Sequence, residues 1–429
     1  MPRGMHMLFG MLAWFMTGSA HAGLPDYVGR AEPAFKWTLE GKRSVEGGAI
    51  YDLQLVSQVW QTIVWEHGLR VYIPARNETP QTLLLFVSGG AARESDDEIG
   101  LQMAQAARAP CAILYDIPKQ PLLGDKYEDD LIAETFVRFL KTADPDWPLL
   151  LPMTKSVVKA MDALQAFASR ELPQPLLSFV VTGASKRGWT SWLAAGVDNR
   201  VAGVAPRVFD MVNIPAQLPH QLESWGTYSE MLRPYVQPGL PNFLGTPQGR
   251  QLIDLVDPFS YRDRLTMPKL MILGTNDRYW TLDAPSLFWR DLPGTGSVRY
   301  VPNAGHGLGD RESWSDSLAC FVRAVAAKRD LPALDWKAER SGEELRWTLD
   351  VRERPSAVEL WFATAATRDF REASWESSPA SSDGSPARGR LALSKDQFTA
   401  VLLQATFEIA GDQCTFTTQV RIEPPIPAN

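Results

Sequence analysis

Hydrophobic and polar positions change their period several times along the chain, and these changes predict strands alternating with helices. Residues 49–74 alternate apolar and polar positions, which is typical of two or three half-buried strands. Continuous apolar runs predict strands buried on both faces at 83–87, 112–115, 201–208, 269–273, 298–301 and directly before Ser185. Helical spacing occupies 97–108, 128–141, 153–170 and 187–196. Together these elements predict a mostly parallel sheet flanked by helices.

Two stretches depart from this rhythm. Residues 209–265 are rich in proline, glutamine and aromatic residues, and they follow a predicted strand. Such an insertion is either a cap over the strand ends or a plain surface excursion; we favour the cap, because long inserts in compact domains are usually functional. Beyond Leu331-Pro332 the pattern alternates again over 334–422, with a Ser/Pro/Gly-rich loop at 377–388 and no helical period. This pattern predicts a C-terminal β-sandwich of immunoglobulin-like type over 333–429.

The first 22 residues are predicted to be a signal peptide. Arg3 supplies a positive charge, residues 7–16 are apolar, and Ala20-His21-Ala22 forms a small-x-small cleavage site. The apolar run is too short to span a bilayer, and no later run is long enough. We therefore expect an exported protein, periplasmic or secreted, with no integral membrane association and a core domain of the α/β class over 23–330.

Composition excludes some functions. The chain has 429 residues, of which 45% are hydrophobic and 22% charged, and its net charge is −7. These values are typical of a globular protein with a large core, and with no basic stripe they give no support to nucleic-acid binding. The chain has 15 tryptophans, which indicate either a large aromatic core or an aromatic-walled pocket.

Cysteine and carboxylate spacing predicts no metal site and no cofactor. The three cysteines are Cys111, in an apolar strand, Cys320, on a helical segment, and Cys414, on a late strand. Export permits a bridge between Cys320 and Cys414, but the sequence leaves this pairing open. The carboxylate runs at 96–98 and 128–130 lack the spacing and glycine of a calcium loop, and they fit the first turns of helices.

Ser185 carries the most informative motif. An apolar run, 179–182, leads into Gly183-Ala184-Ser185, and a helical segment follows immediately. Small residues around a serine between a strand and a helix are typical of a nucleophile elbow, in which a strained turn exposes the hydroxyl at the edge of a sheet. A nucleophile of this kind requires an acid and a histidine after later strands.

Both partners follow in the required order. Asp277 lies after the strand 269–273, within Gly-Thr-Asn-Asp, and His306 lies after the strand 298–301, within Asn-Ala-Gly-His-Gly. In a Ser-His-Asp triad the imidazole takes the hydroxyl proton, and the carboxylate orients the imidazole. Asp283 and Asp210 remain alternative acids.

The residues around the elbow predict an oxyanion hole. One donor is the backbone N–H of Lys186, directly after the nucleophile, and the second comes from Gly89 or Gly90, unless that pair forms only a tight turn. Arg187 stands where the common Gly-x-Ser-x-Gly motif has its second glycine. The cations Lys186 and Arg187 either assist an oxyanion or an acidic substrate, or, as we favour for Arg187, pair with an internal carboxylate.

These motifs carry a resemblance to a known family. The elbow 183–189, the acid segment 274–277, the histidine segment 302–306, and the segments 87–90 and 151–156 resemble those of the PhoPQ-activated pathogenicity-related proteins. The resemblance implies an exported protein with an α/β-hydrolase-type core, linked in some bacteria to virulence and antimicrobial-peptide resistance. The elbow is also similar to that of the glucuronoyl esterases, although Lys186 matches their cation in charge only and Ala184 replaces their cysteine.

The sequence therefore predicts an exported serine hydrolase that acts on a small-molecule or peptide substrate. Candidate substrate-binding residues are Trp189, Trp225, Tyr228 and Trp280. Two alternatives from other classes remain: a non-catalytic or weakly catalytic regulatory protein on a hydrolase fold, and a surface-binding protein that acts through its C-terminal domain. The bond cleaved and the oligomeric state are open.

Overall fold

The computed structural model describes residues 23–380 and 386–426. The predicted signal peptide lies outside these residues. None of the helices in the described ranges is long and apolar enough to cross a bilayer. The α-helices are α1 Leu24–Gly29, α2 Asp96–Ala107, α3 Glu128–Thr142, α4 Leu150–Glu171, α5 Lys186–Val197, α6 Ile214–Trp225, α7 Arg233–Val236, α8 Pro247–Val256 and α9 Glu312–Ala326.

The strands fall into a central group and a C-terminal group. The central strands are β1 Lys36–Val45, β2 Gly48–Trp60, β3 Ile63–Pro74, β4 Thr82–Val87, β5 Cys111–Leu114, β6 Ser178–Ala184, β7 Val201–Arg207, β8 Lys269–Gly274 and β9 Gly296–Val301. The C-terminal strands are β10 Asp335–Ser341, β11 Glu344–Asp350, β12 Ala357–Ala365, β13 Glu376–Pro379, β14 Ala387–Ala392, β15 Phe398–Ile409, β16 Asp412–Thr417 and β17 Arg421–Glu423.

The central strands form one twisted sheet in the order β1-β2-β3-β5-β4-β6-β7-β8-β9. Strands β4 to β9 are parallel to one another, whereas β1, β2 and β3 pair antiparallel, and β3 also pairs antiparallel with β5. The α/β class with a mostly parallel sheet is thus confirmed. The sequence pattern missed β1, because its residues are exposed or only half-buried and do not alternate clearly.

Helices cover both faces of this sheet. Strands β4, β5 and β8 are buried along their whole length, which explains their continuous apolar runs. Helices α3, α4 and α5 pack their apolar residues on one face, and α2 and α9 pack on the other. Since parallel strands end on the same edge, the loops after β4, β6, β8 and β9 gather there, and this edge holds the site described below.

The C-terminal strands form two sheets. Strands β16, β15, β12 and β13 continue the central sheet, because β16 pairs antiparallel with β9 at Thr417 and Val298. Strands β10, β11 and β14 form a separate sheet, and buried residues of both sheets share one hydrophobic cluster. The predicted loop at 377–388 is partly wrong: Ser377, Ser378 and Pro379 belong to β13, where backbone pairing with β12 overrides their loop-like composition.

A disulfide joins the two parts of the chain. Cys320 on α9 is bonded to Cys414 on β16, whereas Cys111 is free and buried. The bridge closes a loop with a sequence separation of 94 residues. Disulfides typically stabilise a fold by about 2–4 kcal/mol, and long loops such as this one lie at or above the upper end of that range.

A serine–histidine pair is buried between β2 and β3, next to the segment that follows β5. Ser57 Oγ is 2.8 Å from His67 Nε2, and His67 Nδ1 is 3.0 Å from the carbonyl oxygen of Asp116. Burial lowers the pKa of His67 to about 4, although the Asp116 carbonyl opposes this shift. With only 1% of its surface exposed, His67 is neutral in the folded protein and unavailable to a substrate.

We expect His67 to make the fold sensitive to acid. Its pKa is near 6.5 in the unfolded chain and about 4 in the fold, so the unfolded state binds the proton more tightly. The neutral histidine therefore contributes its stability above pH 6.5 and loses it as the pH falls towards 4, by about 3 kcal/mol in all. Urea unfolding at a series of pH values should show this loss in the wild type and not in His67→Gln. Parallel profiles for the two proteins would contradict the assignment.

Candidate active site

Ser185 occupies a strained turn between β6 and α5. Its backbone has φ 56° and ψ −124°. Residues other than glycine rarely adopt this region, and doing so costs about 1–3 kcal/mol. The Ser185 N–H donates to the carbonyl of Arg207 at the end of β7, at 2.9 Å. This bond and the pairing of β6 with β4 and β7 hold the turn at the carboxyl edge of the sheet.

The structure brings Asp277 and His306 to this serine. His306 Nε2 lies 2.9 Å from Ser185 Oγ, and His306 Nδ1 lies 2.8 Å from Asp277 Oδ2. The Asp277 side chain is 8% exposed and that of His306 is 26% exposed, so the acid is buried while the imidazole reaches the surface of the site. The three groups form one continuous chain of hydrogen bonds.

Of the three candidate acids, only Asp277 contacts His306. Asp283 lies on the same loop, but its carboxylate bonds His220 at 2.8 Å and pairs with Arg368. Asp210 is fully buried, and this burial, together with the nearby Asp277 carboxylate, raises its pKa well above the usual value. Burial therefore favours the neutral form of the Asp210 carboxyl, which makes no contact with His306.

Tyr279 contacts both Asp277 and His306. The sequence motifs did not identify this residue. Its backbone N–H donates to Asp277 Oδ1 at 2.8 Å, which fixes the second oxygen of that carboxylate. Its ring lies 4.2 Å from the His306 ring at an angle of 32°, and its hydroxyl donates to Asp129 at 3.0 Å. The only sequence signal was its position shortly after Asp277, which does not reveal these contacts.

The predicted oxyanion donors lie next to the elbow. Lys186 is the first residue of α5, and its backbone N–H makes no hydrogen bond to any described residue. Gly89 follows β4, whose end pairs with Gly183 in β6. A Cβ on Gly89 would lie 2.1 Å from the Arg187 guanidinium, so a side chain at this position would displace that guanidinium from its present place. The Gly90 N–H instead points to Ser88 Oγ at 3.4 Å.

The two cations of the elbow are bound to carboxylates of α3. The Arg187 guanidinium donates to both oxygens of Glu128, at 2.5 and 2.8 Å, and its Nε donates to the Ile117 carbonyl at 2.7 Å. Lys186 Nζ lies 3.2 Å from Glu128 and 3.1 Å from Asp129. Burial raises the pKa of Glu128, but the two cations outweigh it and lower the pKa to about 2. Arg187 is therefore a structural ion-pair partner.

The second glycine of the elbow motif is displaced by one residue, to Gly188, and close packing explains why a glycine stands there. A Cβ at this position would lie 3.0 Å from both the Arg207 carbonyl and the Phe209 Cβ. The first turn of α5 therefore packs tightly against the end of β7. Arg187, in the usual place of the glycine, turns to the opposite side and reaches Glu128.

A loop of the C-terminal region holds the acid and histidine loops. Asn276 Nδ2 donates to the carbonyls of Phe370 and Ala373, at 3.3 and 2.7 Å. Asn303 Nδ2 donates to the carbonyl of Trp375 at 3.0 Å, and the Trp375 N–H returns a bond to Asn303 Oδ1. The neighbours of Asp277 and His306 are thus positioned by residues 370–375. No motif in the sequence predicted this support.

A large apolar cavity opens beside Ser185. It encloses about 830 Å³ of empty space, including its open mouth, and most of its wall comes from residues 209–265. Of the candidate substrate-binding residues, Trp189 and Trp280 line it. Trp225 and Tyr228 do not: the Trp225 ring lies beneath the Arg371 guanidinium at 4.2 Å, behind the triad acid, and Tyr228 packs against the core.

Within the described ranges, no group of three or more His, Cys, Asp or Glu side chains is arranged to hold a metal ion. The arrangement at Ser185 instead combines a hydroxyl, an imidazole and a buried carboxylate with the free backbone N–H of Lys186 at the start of α5. Groups in this geometry can transfer an acyl group through the serine oxygen.

Comparison with protein families gives a match over most of the chain. A family model described as PhoPQ-activated pathogenicity-related protein matches residues 24–371. The autocrine proliferation repressor protein A of Dictyostelium discoideum is 35% identical over 377 residues, which cover 81% of this chain and 76% of that protein.

Solved structures are similar at low sequence identity. An acetyl xylan esterase from Paenibacillus sp. R4 aligns with a TM-score of 0.50 and 14% identity over 70% of this chain and 92% of that one. A glucuronoyl esterase from Solibacter usitatus has a TM-score of 0.42 and 12% identity over 69% and 87%. The first likeness shows a shared fold of α/β-hydrolase type, and at this identity it says nothing of substrate.

Proposed function

The chain belongs to the PhoPQ-activated pathogenicity-related protein family, and we propose that it is a serine hydrolase that cleaves an ester or amide bond. The observation that carries the proposal is the unbroken hydrogen-bond chain from Ser185 through His306 to Asp277. The fold shared with an acetyl xylan esterase supports the same reaction class by analogy only.

In this proposal Ser185 Oγ attacks the substrate carbonyl while His306 Nε2 takes its proton. The Asp277 carboxylate holds the imidazole in the required tautomer and stabilises the imidazolium. His306 then gives the proton to the leaving oxygen or nitrogen, which departs and leaves an acyl group on Ser185. A water molecule then attacks this acyl group and gives a proton to His306. The product carboxylic acid leaves, and His306 returns the proton to Ser185.

The oxyanion formed in each attack is bound by backbone donors. We assign this role to the N–H groups of Lys186 and Gly89, and the N-terminus of α5 adds a favourable dipole. The Lys186 ammonium is not required, since it is neutralised by Glu128 and Asp129. Of the two glycines considered, Gly90 is the weaker candidate because its N–H points to Ser88.

We further propose three parts for the whole protein. Residues 1–22 act as a signal peptide for export, residues 209–265 cap the site, and residues 333–429 form an immunoglobulin-like β-sandwich. The cap is supported by the residues that this segment contributes to the cavity. The sandwich is supported by the hydrophobic cluster shared by its two sheets.

Fluorophosphonate labelling tests the proposed function directly. We expect the folded mature protein to react at one serine, and peptide mass spectrometry should place the adduct on Ser185. Ser57 serves as the internal control, because it also contacts a histidine but is fully buried. Heat-denatured protein should not react. Absence of labelling, or an adduct at another serine, would overturn the proposal.

A second candidate function is a regulatory protein on a hydrolase fold. The Dictyostelium relative is named as an autocrine repressor of proliferation, and its identity of 35% makes a comparable signalling role a reasonable alternative. This alternative predicts a folded protein that does not react with the probe. A labelled Ser185 would favour the hydrolase over a purely non-catalytic protein.

A further inference from the structure

The cavity beside Ser185 is large, and its walls are almost entirely apolar. Helices α3 and α5 form one side, and the segment 209–265 forms the roof through residues such as Met211, Leu218, Val236 and Leu252. Its empty volume of about 830 Å³ includes the mouth. The centres of water-sized groups have about 90 Å³ inside it, whereas a single water molecule needs about 10–15 Å³, so the cavity takes several more groups than an acetyl.

Apart from Ser185, the polar side chains that line the cavity are already used by the protein. Asp129 and Lys186 pair with each other at 3.1 Å. The hydroxyls of Tyr235 and Tyr279 both donate to Asp129, at 2.9 and 3.0 Å. A charged or hydroxylated substrate group would therefore lose its hydration without gaining a partner.

The two tryptophans of the wall also turn apolar surface to the cavity. The indole N–H of Trp189 donates to the Val256 carbonyl, at 2.5 Å, and that of Trp280 donates to the Val208 carbonyl, at 3.2 Å. With these donors occupied, the rings offer only their hydrocarbon faces and edges. The wall therefore selects for an aliphatic or aromatic group.

The position of His306 decides which part of the substrate enters. Ser185 is in the cavity wall, but His306 is not, and Tyr279 stands between the imidazole and the cavity. The leaving group must lie against His306, because the imidazole delivers its proton to it. The group inside the cavity is consequently the one that stays on Ser185.

We propose that the cavity binds the acyl part of an ester substrate, and that this acyl part is an aliphatic chain much longer than acetyl. The inference rests on the proposed serine hydrolase function. It assigns the apolar group to the acyl side and leaves the alcohol side outside the cavity. Specificity is therefore set by the segment 209–265.

Two ester series with opposite design test the proposal. In the first, p-nitrophenyl esters keep the leaving group and lengthen the acyl chain from acetate to decanoate. We expect kcat/KM to rise by about fourfold for each added methylene until the cavity is filled. In the second, acetate esters of increasingly long alcohols should show no comparable rise. A flat acyl series, or a rise confined to the alcohol series, would overturn the proposal.

A larger side chain in the cavity wall tests whether the acyl chain binds there. Val236 lines the cavity and is partly buried on α7, so Val236→Phe should fill part of the space. We expect the octanoate-to-acetate ratio of kcat/KM to fall by about tenfold or more. The matched control is Val64→Phe, since Val64 is 53% exposed at the start of β3 and outside the cavity. This control should keep both the ratio and the activity of the wild type.

A second variant, which enlarges the cavity, keeps the proposal testable if Val236→Phe does not fold. Leu252→Ala removes bulk from the wall and should move the preferred acyl length to longer chains. An unchanged optimum in this variant, or an unchanged ratio in folded Val236→Phe, would contradict the proposal. Labelling of Ser185 without chain-length dependence would reject this inference alone, whereas absence of labelling would reject the proposed function.

Discussion

Replacing Ser185 with alanine is expected to lower kcat by about 10⁶-fold, because the proposed mechanism requires its oxygen to attack the substrate and carry the acyl group. The substitution removes a single oxygen from a partly exposed turn, and the bond from the residue 185 N–H to Arg207 uses the backbone only. The fold should therefore remain intact. Initial rates on a p-nitrophenyl ester with circular dichroism of the same samples measure both effects.

The matched control for this variant is Ser191→Ala. Ser191 is a buried serine on the same helix, and its hydroxyl donates to the Arg187 carbonyl at 2.7 Å without contacting the triad. We expect Ser191→Ala to keep its rate within about threefold, since a typical intramolecular hydrogen bond contributes about 1 kcal/mol to stability and this one does not touch the substrate. A folded Ser185→Ala protein that kept more than about a tenth of wild-type activity would refute the nucleophile.

The double variant Ser185→Ala/His306→Ala provides a further check on the triad. Members of a catalytic triad act as a unit, so the loss caused by one substitution is not increased by the second. We expect the double variant to be about as slow as Ser185→Ala alone. Multiplied losses would indicate that His306 acts independently of Ser185.

Replacing Asp277 with asparagine is expected to lower kcat by about 10⁴-fold. The amide has the shape of the carboxylate and can still accept from the Tyr279 N–H. It carries no charge to stabilise the imidazolium, and it can hold His306 in the wrong tautomer by donating to Nδ1. Kinetics on the same ester, with thermal unfolding as the test of folding, measure this loss.

Asp283→Asn is the control, because it makes the same isosteric change on the same loop. Asp283 bonds His220 and Arg368 and does not contact His306. Its replacement should lower stability while leaving kcat of the folded protein within about tenfold. A loss of about 10⁴-fold in Asp283→Asn with near-normal Asp277→Asn would show that the acid is misassigned.

The sequence predicted the central sheet well, because its strands have strong local signals. Fully buried strands such as β4 and β8 require continuous apolar runs, and those runs can be read directly. The elbow has the same property, since a tight turn restricts its neighbours to small residues. The edge strand β1 has no such requirement, because it is largely exposed, and it was missed.

The sequence around Asp277 and Asp283 could not decide which of the two contacts His306. Asp277 and Asp283 lie on one loop with similar chemistry, and their difference is the direction in which each side chain points. Asp277 is hydrogen-bonded to His306, whereas Asp283 is hydrogen-bonded to His220 and Arg368, which are distant in sequence. A side chain's direction depends on partners that only the folded chain assembles.

The sequence alone determined the α/β class, the position of Ser185 and the order of its two partners, because each follows from burial and turn geometry within a short segment. The tertiary structure decided the features that depend on distant residues: the pairing of Arg187 with Glu128, the Cys320–Cys414 bridge, and the exclusion of Trp225 from the cavity. The physical reason is the range of the interactions. Burial and turn strain act on neighbours along the chain, whereas ion pairs, disulfides and cavity walls join segments that only folding brings together.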